Sequence, residues 1–327
     1  MLQFKGRGGK WGVKYEYGMQ HTIEREVSCS GSCLHSGAKV SLRFFPAPPN
    51  YGVRFRRVDL GGSPLLCAHY HNVVDTQLAT TIGVNGVSVR TVEHLMAALY
   101  GMSVDNVLIE INGPEVPIFD GSSSAFIDIL EEGGLQQQGV ARQCLRVERP
   151  FIYRDGDAFV KVTPSNRLQV SYTIDFPHKL VGNQRLSWKF DSMDFTRTIA
   201  RARTFGFLKD VQKMQSRGLA LGGSLENALV FDDYRVLNQE GFRYVDECVR
   251  HKVLDFLGDL ALTGMPMLGH FRAYKAGHAL HNRFLKDLMV KPGFYSIYIP
   301  AALPGAVFPN TPVPSFLRGM QPAIKQL

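Results

Sequence analysis

The stretch Glu247-Cys248-Val249-Arg250-His251-Lys252-Val253-Leu254-Asp255-Phe256-Leu257-Gly258-Asp259 constrains this chain more than any other. Wound as a helix at about 100° per residue, it sets His251, Asp255 and Asp259 at i, i+4 and i+8, one narrow titratable stripe. Val253, Leu254, Phe256, Leu257 and Leu260 fall on the opposite side and predict a core face. An imidazole and a carboxylate one turn apart can bind one ion together. A lone pair of this kind is more often a solvated helix face. A second helical stretch shifts the balance: Thr91-Val92-Glu93-His94-Leu95-Met96-Ala97-Ala98-Leu99 carries an acid and an imidazole side by side.

The chain has 327 residues, enough for two domains or one large one. Its 45% hydrophobic and 20% charged residues describe an ordinary globular protein. No stretch reaches about 18 uninterrupted apolar residues, so no transmembrane helix is expected. Residues 1–18 are basic and glycine-rich, without the apolar core of a secretory signal, and read as a flexible extension. The five scattered cysteines fit a reducing cytoplasm better than a disulfide framework, and Cys29-x-x-x-Cys33 lacks the second pair of a zinc ribbon. The net charge of +8 suits an anionic partner. Without a recognition motif or a long basic block, a phosphorylated small molecule or anionic lipid is expected rather than nucleic acid.

Two halves of similar pattern follow, residues 19–141 and 142–291. Each reads as a strand–proline turn–strand hairpin, a helix bearing a histidine, a further strand and a further helix, an α+β arrangement. The hairpins are Val40–Phe45 with Val53–Arg57, and Ala158–Val162 with Leu168–Ile174. Phe195–Ala202 reads as a short basic helix, and Asn85-Gly86 marks a hairpin turn. If the halves pack face to face, equivalent helices bring His94 and His251 together at the seam, where pockets are common. Residues 292–327 form an aromatic and proline-rich tail that the pattern does not assign.

His94, His251 and Asp255 then make a zinc donor set of two imidazoles and a carboxylate, with a fourth place for water. Glu93, about 100° around the helix from His94, is the candidate base. A hydrolysed carbonyl develops negative charge; Lys252 and the Thr204 hydroxyl are the candidate donors to it. His278 is the candidate acid for a leaving amine, with Asp259 holding its other ring nitrogen.

Eight motifs occur in order. They are Thr80-Thr81-Ile82-Gly83, Ser88-Val89-Arg90-Thr91-Val92-Glu93-His94-Leu95, Gly113-Pro114-Glu115-Val116-Pro117-Ile118-Phe119-Asp120-Gly121-Ser122 and Arg201-Ala202-Arg203-Thr204-Phe205-Gly206-Phe207. There follow Ser216-Arg217-Gly218-Leu219-Ala220-Leu221-Gly222-Gly223-Ser224, Asp232-Asp233-Tyr234-Arg235-Val236-Leu237-Asn238, Arg250-His251-Lys252-Val253-Leu254-Asp255 and Tyr274-Lys275-Ala276-Gly277-His278-Ala279-Leu280-His281-Asn282. Together, from about Gln20 to about Val290, they resemble the UDP-3-O-acyl-N-acetylglucosamine deacetylases, zinc amidases of lipid A biosynthesis in Gram-negative bacteria.

The resemblance implies two β-α-α-β domains packed as a sandwich, each with a small insert. It implies Zn2+ on His94, His251 and Asp255, Glu93 as base and His278 as acid. Acetate is removed from a UDP-linked, 3-O-acylated N-acetylglucosamine, the committed step of the pathway. The second insert, about 206–230, corresponds to a hydrophobic passage for the acyl chain, with Val211, Gly218, Leu225 and Val230 at lining positions. Ordinary core remains the alternative for these four. Lys252 and Lys275 are candidate phosphate partners, Phe176 a candidate uracil contact, and Phe205 and His35 further substrate-binding positions. Fe2+ would suit the same donors. A cytoplasmic monomer is expected, in transient contact at most with the inner membrane surface.

Three features depart from the family: residues 1–18, the tail after Pro292, and Cys33 where glycine usually precedes Leu34-His35. A side chain at position 33 restricts the backbone near the acyl entrance. The rival reading is a non-catalytic binding protein of the same fold.

Overall fold

A computed structural model describes residues 18–299, so the expectations for residues 1–17 and 300–327 lie outside the described residues. Each half is built around a central strand. In the first half, Val107–Ile111 runs antiparallel to Lys39–Pro46 on one side and parallel to Val53–Arg57 on the other. Val27–Ser32 and Leu65–Cys67 complete a five-stranded sheet. In the second half, Met267–Tyr274 runs antiparallel to Ala158–Thr163 and parallel to Leu168–Asp175, with Phe151–Asp155 and Asn183–Lys189 outside them. The weak repeat of pattern in the sequence is thus a repeat of strand order and direction.

The hairpins form because their apolar residues alternate: Lys39–Pro46 buries Val40, Leu42 and Phe44 and leaves Lys39, Ser41 and Arg43 exposed. Between the two sheets lie the Glu93 helix (Glu93–Gly101) and the His251 helix (Glu247–Ala261). All nine residues of the Glu93 helix are buried, as expected of a helix covered on every side. The His251 helix departs from a simple amphipathic reading. Its apolar side is buried, and so are His251, Asp255 and Asp259, because the other half covers the polar stripe.

Glycine lets these helices approach closely. A Cβ built on Gly258 would stand 2.0 Å from the Glu93 carbonyl oxygen, a distance no side chain tolerates. Outside the pair, the Ser124–Gly133 and His278–Met289 helices occupy equivalent places in the two halves.

Each half carries an insert. In the first, Val73–Asp75, Thr81–Val84 and Val87–Val89 form a three-stranded sheet. Its hairpin turns at Asn85 and Gly86, both at positive φ, as the dipeptide predicts. In the second, Phe205–Phe207 pairs in parallel with Leu229–Phe231, and the helix Leu208–Gln215 lies between them in sequence. The basic helix expected at Phe195–Ala202 is instead a single turn, Ser192–Asp194, followed by a wide π turn, Phe195–Ile199. The sequence pattern places the end of the second half at residue 291. Tyr295–Tyr298 extends it by pairing antiparallel with Cys144–Val147. No helix among the described residues is long and apolar enough to cross a membrane.

Replacing Gly258 with Ala forces a methyl group into the Glu93 backbone. Overpacking of this kind costs about 1–3 kcal/mol or more. Denaturant unfolding of Gly258→Ala should show a midpoint well below that of the unaltered chain.

Candidate metal centre

The close approach of the two helices brings the first-turn side chains of one against the middle of the other. His94 Nε2 lies 3.5 Å from Asp255 Oδ1, and His251 Nε2 lies 3.2 Å from the same oxygen. All three residues are buried. The His251 Nδ1–H donates to the Ala202 carbonyl at 3.0 Å, which leaves the Nε2 lone pair facing Asp255. Asp255 Oδ1 accepts no hydrogen bond. Two ring nitrogens converging on a buried carboxylate oxygen that has no other partner leave a place suited to a cation. The donor set therefore fits a divalent metal, two imidazoles and one carboxylate with room for a further ligand. Burial favours the neutral acid, but the positive charge beside it, the Lys252 ammonium included, outweighs it and holds Asp255 well below the usual carboxylate range.

These atoms open into a cleft of about 460 Å³ between the halves. Glu93, Thr204, Lys252, Lys275, His278 and Phe205 also face it. Glu93 Oε2 accepts from the Thr80 N–H at 3.0 Å, and Oε1 lies 3.7 Å from His278 Nε2. Burial raises the Glu93 pKa, against the pull of His278 and His94. His278 Nδ1 lies 2.8 Å from Asp259 Oδ2. Burial works against a charge on His278, yet Asp259, Glu93 and Asp255 together raise its pKa to about 9. The same arrangement lowers Asp259 to about 2: burial opposes it, and the charges and hydrogen bonds of His278 and His281 prevail.

The cationic and apolar residues separate into two groups. Lys252 Nζ donates to Asp255 Oδ2 at 2.8 Å and lies 5.7 Å from the Phe205 ring centre, so it lies beside the metal set. Lys275 is at the cleft mouth, paired with Asp157 at 3.0 Å and Asp175 at 3.1 Å. Thr204 faces the cleft while its N–H donates to the Gly121 carbonyl at 2.7 Å. Phe176 is half-buried behind Phe205, edge to face at 5.5 Å, and does not line the cleft.

His35 lies outside the cleft wall, in a loop docked onto the second insert. Its Nδ1 accepts from Ala220 N–H at 3.3 Å, and Gly222 N–H donates to the Leu34 carbonyl at 3.0 Å. Glu115 fixes this loop by accepting from the N–H groups of His35 and Ser36, each at 2.8 Å. Cys33 is buried without a left-handed backbone, so the position does not require glycine. Val211 and Val230 are half-buried, Gly218 and Leu225 exposed, and none lines the cleft. These four accordingly do not belong to the core.

Sequence reasoning passed over two polar residues that the structure brings to the site. Thr80 Oγ1 lies 2.6 Å from Asp259 Oδ1. His281 Nδ1 lies 2.7 Å from Asp259 Oδ2, while its Nε2 lies 2.9 Å from the Tyr172 hydroxyl. The i, i+3 spacing of His278 and His281 was a usable signal. Thr80 lay within the first of the eight motifs, but nothing local gave it a role.

With this geometry in place, comparison with known proteins is informative. The family described as UDP-3-O-acyl N-acetylglycosamine deacetylase matches residues 20–290. A Myxococcus xanthus protein named UDP-3-O-acyl-N-acetylglucosamine deacetylase is 47% identical over 282 residues, 86% of this chain and 90% of the relative. Proteins of the same name from Oleidesulfovibrio alaskensis and Haemophilus influenzae are 46% and 45% identical, covering 82% and 83% of this chain and 88% and 90% of theirs.

The raised His278 pKa has a consequence for stability. The folded value of about 9 lies above the ordinary 6.5, so the contribution is fully present below pH 6.5 and is lost as pH rises through about 9. Thermal melts of the metal-free protein should show this loss between those limits. In Asp259→Asn the alkaline loss should shift to lower pH.

Proposed function

Because the chain belongs to the UDP-3-O-acyl N-acetylglycosamine deacetylase family, we propose that its cleft hydrolyses the N-acetyl amide of UDP-3-O-acyl-N-acetylglucosamine. Water is consumed, and acetate and the free amine of UDP-3-O-acyl-glucosamine are released, in lipid A biosynthesis. The observation that carries this reading is the convergence of His94, His251 and Asp255 on one point, with Glu93 and His278 on the same cleft.

His94 Nε2, His251 Nε2 and Asp255 Oδ1 would hold the metal, and we assign Zn2+, with Fe2+ as the ion the same donors also accept. When bound, the cation supplies Lewis acidity to a water and to the acetyl carbonyl. Glu93 keeps one oxygen on the Thr80 N–H and turns Oε1 to the cleft, where it takes a proton from the attacking water. His278, held through Nδ1, presents Nε2 to the same space and protonates the departing amine. Lys252 and the Thr204 hydroxyl offer donors to the oxygen that gains charge. Lys252 is already oriented by Asp255, so little reorganisation accompanies the reaction.

The substrate's two ends are assigned to different surfaces. Lys275 at the cleft mouth attracts the diphosphate, which must compete with Asp157 and Asp175, and Phe176 and Phe205 offer flat faces near it. The second insert, with Val211, Gly218, Leu225 and Val230, takes the acyl chain, each buried methylene contributing roughly 0.8 kcal/mol. His35 holds this insert against the first half. One chain supplies every group named, which supports a monomer. The five unpaired cysteines support a cytoplasmic setting.

Glu93→Ala should keep the wild-type metal content and lose roughly 10²-fold or more in turnover, read as acetate release from the UDP-sugar. Undiminished turnover would remove Glu93 as the base. Chelation should abolish activity, and added Zn2+ should restore it.

A further inference from the structure

The Thr80 side chain has no role in the chemistry above, yet this residue touches both ends of the proton path. It is 2% exposed. Its N–H donates to Glu93 Oε2 at 3.0 Å, and its carbonyl accepts from the N–H of Val92, the residue before the Glu93 helix, at 3.2 Å. Its hydroxyl lies 2.6 Å from Asp259 Oδ1 and 3.1 Å from His278 Nδ1. The hydroxyl has one hydrogen, and an ionised carboxylate only accepts, so that hydrogen goes to Asp259. Towards His278 the hydroxyl oxygen can then only accept, which requires a proton on Nδ1. Asp259 Oδ2, 2.8 Å from the same nitrogen, requires it too. The proton available for transfer therefore belongs to Nε2, which lies 3.7 Å from Glu93 Oε1.

We propose that Thr80 is a positioning residue that sets the base and the acid in register across the seam between the halves. Asp259 Oδ2 serves two imidazoles, His278 and His281, and the carboxylate could rotate between them. The Thr80 hydroxyl pins the other oxygen and stops that rotation. The backbone of the same residue fixes Glu93. Thr80 comes from the first half and Asp259, His278 and His281 from the second, so one side chain relates the two sets. This inference rests on the roles given to Glu93 and His278 above.

Thr80→Val keeps the branched shape and the backbone N–H and removes the hydroxyl; Thr80→Ser keeps the hydroxyl. The pair Thr80→Ser and Thr80→Ala gives the same comparison should valine hinder folding. All are assayed beside wild type and Glu93→Ala on the UDP-sugar, with metal content measured in each. The expected result for Thr80→Val is wild-type metal content and KM with kcat lower by roughly 10²-fold, most of it returned in Thr80→Ser. A wild-type kcat in both Thr80→Val and Thr80→Ala overturns the proposal. So does a loss that serine fails to restore, or one that falls on KM or metal content alone. Full turnover in Glu93→Ala would instead overturn the reading of the site, and this inference with it.

Discussion

The structure depends on the contact between two helices at Gly258. The Glu93 carbonyl occupies the space a side chain there would fill, and this closeness is what brings His94 within reach of His251 and Asp255. Helices normally pack with their axes about 8–10 Å apart, set by the side chains between them. With no side chain at the crossing, the neighbouring positions are pushed together, and here those positions are titratable. The fold thus pays for a buried polar site by placing it where the backbone can approach most closely.

Burying so many ionisable groups demands mutual compensation. Glu93, Asp255 and Asp259 would each be costly alone in the interior. Asp259 is satisfied through Thr80, His278 and His281. Asp255 is satisfied at one oxygen by Lys252 and remains bare at the other, facing two imidazole nitrogens. The two carboxylates are one turn apart on one helix, yet their partners differ in kind. One is closed by hydrogen bonds, and the other is left open in the direction of a cation.

Much of this was legible in the chain. The His251–Asp255–Asp259 spacing predicted a helix and a stripe, and the alternation in Lys39–Pro46 predicted a strand with one buried face. Asn85-Gly86 announced its turn through backbone sterics alone. What stayed hidden depends on long-range contact. Thr80 is 179 residues from Asp259, and no local pattern reports such a pairing. The π turn at Phe195–Ile199 is set by packing rather than propensity; the Phe195 ring lies where a side chain on Gly101 would be. Tyr295–Tyr298 is too short and too far past the last helix to signal that it joins Cys144–Val147. The charged stripe was legible, and the repeat of pattern pointed to a facing half that would cover it.

X-ray absorption at the metal edge of the isolated protein tests the central claim most directly. The account predicts one ion per chain with nitrogen and oxygen neighbours at about 2.0–2.2 Å, two of them imidazole, and no sulfur. It also predicts that this signal disappears in His94→Ala. A sulfur shell, or an unchanged spectrum without His94, would contradict the account.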